Sequence, residues 1–174
     1  MDMDKVLKFK VGIKGLEDKI WREIEINDRR TVADLAYTIL ATFDSLAYHL
    51  YNIKYKDYTF DYFGCTEGDE NSRDATITFK ITYLGERNMT EFEGYLYPNI
   101  VDGAGAGRGM LDDMCDFESK EIVEGTDRKG YSDYYVTPGY EKHEKYDYRK
   151  FNLKANNKKL KGLVLEIKNG YEVE

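Results

Sequence analysis

Cysteine and histidine are scarce in this 174-residue chain, with two of each: Cys65 and Cys115, His49 and His143. They form no CxxC pair and no Cys/His spacing of the zinc type, and a chain of this length needs neither a disulfide nor a metal to hold a core. No run approaches the roughly 18 apolar residues of a membrane span. The opening MDMDKVLKFK lacks the basic-then-apolar order of a signal peptide. The expectation is a cytoplasmic protein with reduced thiols and no membrane contact. A basic excess is missing too, with 26 Lys+Arg against 33 Asp+Glu and a net charge of −7. Proteins that grip duplex nucleic acid commonly carry one, because neutralising phosphates supplies much of their affinity. Direct nucleic-acid binding is therefore disfavoured.

Signatures of common chemistries are also missing. Gly103, Gly105, Gly107 and Gly109 alternate, but Arg108 and Met110 occupy third-glycine positions of GxGxxG registers, and no GxxxxGK[ST] occurs. That stretch, 98–109, reads as a loop with several positive-φ positions. Asp102, Asp112, Asp113 and Asp116 supply oxygens of the kind Mg²⁺ or Ca²⁺ prefers, without EF-hand spacing. No GxSxG elbow sets a nucleophile. No catalytic residue, metal or cofactor is assigned, and nothing marks an oligomeric state.

What is present points to a packed domain. Hydrophobic residues make up 41% of the chain and aromatics 14%, including 16 Tyr and 8 Phe, too many to stay solvated in a disordered chain. Residues 1–174 read as a single domain. Charge is uneven: positions 57–135 hold 18 acidic and 7 basic residues, net −11, whereas 142–162 hold 8 basic and 2 acidic, net +6. Both read first as solvated faces of one surface, the second also as a patch for an anionic partner.

Along the chain, 6–13 (VLKFKVGI) alternates with period two, placing Leu7, Phe9, Val11 and Ile13 on one side. Residues 20–26 form a second strand with Ile20, Ile24 and Ile26 facing the core. Trp21 and Arg22 read there as a packed indole and a surface charge. A helix follows: Thr31 to Asp34 has capping-box form, and Val32, Leu35, Ala36, Ile39, Leu40 and Phe43 make one apolar stripe. Strands are expected over 47–55, 58–63 and 75–84, helices over 110–124 and, short and basic, over 151–161, and a final strand over 163–173. The order of elements is α+β: an N-terminal hairpin with a helix packed across it, β-grasp-like, a mixed or antiparallel sheet, and a short C-terminal helix.

The run from Ile13 to Ile53 resembles the opening of the plasmid pRiA4b ORF-three-like family. Lys14, Gly15, Ile20, Trp21, Arg22, Ile24, Thr31, Asp34, Leu35, His49 and Leu50 match its hairpin, helix and HLH-strand motifs. Asp102 to Asp113 is similar to its glycine-rich acidic loop, and Tyr148 to Gly162 to its closing helix. Tyr51 and Ala36 stand where the family has further histidines. The resemblance implies an α+β domain associated with plasmids, transposons and phage, and no particular reaction.

Three readings follow. The first is a non-enzymatic accessory protein of a mobile element that binds a protein or nucleoprotein complex, antagonism of a host defence complex being one such role. Its surface would draw on Arg22, His49, Asp102, Arg108, Asp112 and Asp113 and on Tyr134 and Tyr135 of the tyrosine-rich segment. The second is a small-ligand-binding or hydrolytic enzyme with a pocket at the glycine-rich loop and His49, which requires His49, Arg22, Arg108 and Asp112 or Asp113 to converge. The third is a nucleic-acid binder through 142–162, led by Arg149, Lys150, Lys158 and Lys159.

Overall fold

The computed structural model describes residues 4–45, 47, 52–55, 58–61, 78–91, 93–94, 97–106, 123 and 149–172. The hairpin forms as its alternation predicts. β1 (Lys5–Ile13) and β2 (Trp21–Asn27) pair antiparallel, with Leu7 opposite Ile26, Phe9 opposite Ile24 and Val11 opposite Arg22. α1 (Val32–Thr42) follows, started by a complete capping box in which the Thr31 hydroxyl accepts from the Asp34 N–H and the Asp34 carboxylate accepts from the Thr31 N–H.

β3 (Asn52–Tyr55) and β4 (Tyr58–Asp61) make a separate two-stranded ribbon. β5 (Phe79–Asn88) and β6 (Asn99–Ala104) flank the hairpin, giving a sheet in the order β5-β1-β2-β6. The fold class is α+β. Every pairing between described strands is antiparallel, so nothing here establishes the β-grasp likeness.

Three expectations need correction. β5 runs to Asn88 rather than Leu84, because the ladder continues past a bulge at which Leu84 is left unpaired between Tyr83 and Gly85. The glycine stretch is not all loop: Asn99–Ala104 is an edge strand, also bulged, with Ile100 opposite Ile24 and Asp102 opposite Glu23. Gly105 alone among its described glycines has positive φ, +76°. Finally, the short basic helix and the final strand are one 19-residue helix, α2 (Leu153–Tyr171). The apolar residues follow a helical period: Leu160, Leu163, Val164, Ile167 and Tyr171 all turn inward. The expected helix over 110–124 lies outside the described residues apart from the buried Val123.

α1 and α2 cover the same face of the sheet. Val11, Ile13, Ile20, Ile24 and Ile100 meet Ile39, Ala41 and Phe43 from α1 and its cap, and Leu160 and Ile167 from α2. Each fully buried aliphatic side chain contributes about 1.5–3 kcal/mol. The opposite face is charged: Lys8 pairs with Glu23 at 2.6 Å, and Lys10 lies 4.4 Å from the Trp21 ring centroid.

α2 also closes the β6 edge. Asn157 donates through Nδ2 to the Ile100 carbonyl at 2.7 Å and accepts the Ile100 N–H at 2.8 Å through Oδ1. No helix among the described residues is long and apolar enough to cross a membrane.

Candidate functional site: a basic groove between the helices

Two clusters of polar side chains among the described residues lie against α1. The first is Arg22, which is buried at 2% exposure. The expectation of a surface charge is wrong, and the reason is parity: position 22 faces the same way as Ile20, Ile24 and Ile26. Its guanidinium lies between two aromatic faces, 4.7 Å from the Phe43 centroid and 4.1 Å from that of Phe151. Nε donates to the Thr42 carbonyl at 3.0 Å, in the last turn of α1, where the helix dipole favours a cation. Nη1 donates to the carbonyls of Trp21 (2.8 Å) and Ala104 (2.6 Å), and Nη2 to that of Gly105 (2.7 Å). A Cβ at Gly103 would come within 2.9 Å of Arg22 Cδ and 3.0 Å of Phe151 Cζ. The glycine there lets the strand approach the stacked cation. This arrangement joins β2, α1, β6 and the segment leading into α2 around a buried cation.

The second place is a groove of about 180 Å³ between the start of α1 and the C-terminal half of α2. Ile26, Pro98, Val164 and Leu165 give it an aliphatic lining, and Arg30, Lys161 and Lys168 stand around it with Asp34. Asp34 is buried and fully engaged. Its Oδ2 accepts from the Thr31 N–H (3.0 Å) and hydroxyl (3.2 Å), and its Oδ1 accepts from Lys168 Nζ at 3.1 Å. Burial alone would raise its pKa, but the bonds from Thr31 and the Lys168 ammonium outweigh burial and hold the carboxyl below its ordinary value. Lys168 is pushed up, mainly by its bond to Asp34, and also pairs with Glu172 at 3.5 Å. The Tyr97 hydroxyl accepts from Arg87 at 2.7 Å. Arg30 is exposed, and its side chain has no hydrogen-bond or ion-pair partner among the described residues.

Of the residues singled out from sequence, Arg22 and Asp102 are neighbours in strand register but sit on opposite faces: Gly103 opposes Arg22 on the core side, whereas Asp102 opposes Glu23 on the outer side. The exposed Asp102 carboxylate accepts the Gly103 N–H at 2.8 Å. Arg149, Lys150 and Lys158 are exposed, and Lys159 is tied to Asp44 at 2.6 Å. His49, Arg108, Asp112, Asp113, Tyr134 and Tyr135 lie outside the described residues. Sequence reasoning missed Arg30, Asp34, Tyr97, Lys161 and Lys168 as a set. A helix read through to position 171 would have placed Lys154, Lys158, Lys161, Leu165 and Lys168 along one face, at i, i+4, i+7, i+11 and i+14. Among the described residues no cluster of His, Cys, Asp or Glu is arranged to hold a metal ion.

Residues 5–99 match the family described as plasmid pRiA4b ORF-3-like protein. The fold is similar to the crystal structure of a protein of unknown function, MM3350 from Methanosarcina mazei Go1. The TM-score is 0.61 at 17% sequence identity, over 88% of this chain and 97% of that one, a likeness that carries the fold alone. No curated protein matches the sequence.

Proposed function

Since the chain belongs to the plasmid pRiA4b ORF-3-like family, we propose that it is a non-enzymatic accessory protein of a mobile element, acting in the host cytoplasm by binding another macromolecule. One observation carries this reading: the strongly buried ionisable groups of the described fold serve architecture. Arg22 ties four backbone carbonyls, and Asp34 completes a helix cap and an interhelical ion pair. A general acid or base needs a pKa moved toward working pH and access to a substrate proton. Asp34 is shifted the other way, toward a permanent carboxylate. The surface, by contrast, has a basic concavity in an acidic protein, a pattern suited to a charged partner. Opposition to a host defence complex is one role such binding would serve.

The test is affinity purification of the tagged chain from a host cell. One protein or nucleoprotein complex should co-purify in fixed stoichiometry. Recovery of a tightly held metabolite, or turnover of a small substrate by the purified chain, would overturn the reading.

A further inference from the structure

We propose that the groove between α1 and α2 receives an acidic peptide segment of a partner protein, with an aliphatic side chain seated against Val164 and Leu165 and carboxylates facing Arg30 and Lys161. This rests on the macromolecule-binding reading and assigns it a surface and a partner chemistry. The charge argument comes first. The protein carries −7 overall, yet the described lining of the groove holds Arg30, Lys161 and Lys168 with one carboxylate, Asp34, which Lys168 and Thr31 engage, while Glu172 lies beside Lys168 outside that lining. Lys154 and Lys158 extend the same face of α2 toward its N-terminus. A local positive field on an acidic protein steers an anionic partner to one place.

Shape and lining decide which anion. Leu165 is 59% exposed at the groove and, with Val164, Pro98 and Ile26, offers an aliphatic surface among cations. A single exposed leucine is ordinary; one at the mouth of an aliphatic concavity is an anchor point of the kind helix-and-groove recognition uses. A volume of about 180 Å³ falls below the roughly 300–1,000 Å³ of small-molecule pockets and suits an inserted side chain. Single-stranded nucleic acid would want aromatic platforms. Among the described residues that line the groove one is aromatic, Tyr97, which is buried with its hydroxyl bonded to Arg87. The exposed edge of β5 was the rival docking surface. Its bulge at Leu84 and its charges at Lys80, Glu86 and Arg87 are features that discourage strand addition.

The experiment pans a random-peptide display library against the full-length protein and measures selected peptides by fluorescence anisotropy, with a single-stranded oligonucleotide alongside. Selected peptides should be net acidic and carry an aliphatic residue. They should bind ~10-fold or more weakly to Arg30→Glu/Lys161→Glu and to Leu165→Glu, and lose affinity as salt rises. All substituted positions are exposed, and circular dichroism with thermal unfolding confirms that each variant compared is folded. Selection without acidic bias, equal binding by the variants, or tighter binding of the oligonucleotide would overturn the assignment. A co-purifying complex held as well by both variants as by wild type would overturn the groove while leaving macromolecular binding intact.

Discussion

Asn157 treats Ile100 as a neighbouring strand would, accepting its N–H and donating to its C=O from a single side-chain amide. β6 is an edge strand, and edges that keep unpaired backbone groups invite association with other chains. Asn157→Leu removes both bonds while keeping helix propensity and similar bulk. We expect a loss of about 1–3 kcal/mol, read as a lower urea midpoint with an unchanged m-value, together with faster amide exchange at Ile100.

Arg22 answers to geometry rather than charge alone. Arg22→Lys keeps the cation but loses the planar fork that reaches Thr42, Ala104 and Gly105 and stacks between Phe43 and Phe151. A loss of at least ~2 kcal/mol is expected. Arg22→Ala should lose on the order of 3–5 kcal/mol, a large part of the roughly 5–15 kcal/mol that holds an ordinary domain together. Chemical denaturation of both variants checks the order.

Two glycine-to-alanine changes should act in opposite directions. At Gly103 a Cβ would meet Arg22 Cδ and the Trp21 carbonyl oxygen, both at 2.9 Å, and overpacking of that kind costs about 1–3 kcal/mol. At Gly162, inside α2, a Cβ meets nothing within 4 Å, so alanine should stabilise by about 0.5–1 kcal/mol through helix propensity and a less flexible unfolded chain. Melting temperatures should separate the pair.

Acid should loosen the junction of the two helices. With its folded pKa depressed, Asp34 contributes stability that is fully present above its ordinary value of 3.8 and is lost as pH falls through the lower folded value. Lys168, with its pKa raised, contributes fully below 10.5 and loses that contribution as pH climbs through the higher folded value. The stability gap between wild type and Asp34→Asn should therefore be constant near neutrality and close in strong acid. Denaturation midpoints across pH measure it.

The parts legible from sequence are those in which one local rule acts alone. Period-two alternation located β1 and β2, and the Thr31/Asp34 cap with its apolar stripe located α1. Legibility failed where two rules competed. Around Gly162 a helix breaker and a brief alternation masked the inward turn of Leu160, Leu163, Val164 and Ile167. At 99–104 the run of glycines that begins at Gly103 suggested a loop, because the reason for Gly103, the close approach of Arg22 and Phe151, is a tertiary contact. Arg22 itself was misread by residue type although its parity was on view. The groove could not be read at all, since it unites Arg30, Asp34, Pro98 and Lys168 from separate elements.

The stacked guanidinium also bears on modularity. The family match ends at residue 99, yet Ala104, Gly105 and Phe151 lie beyond it and take part in neutralising and covering a side chain from the first hairpin. A polypeptide trimmed to the matched stretch would strand a half-solvated cation inside its own interior. The interior of the matched stretch is thus completed by Ala104, Gly105 and Phe151, which follow it in the sequence.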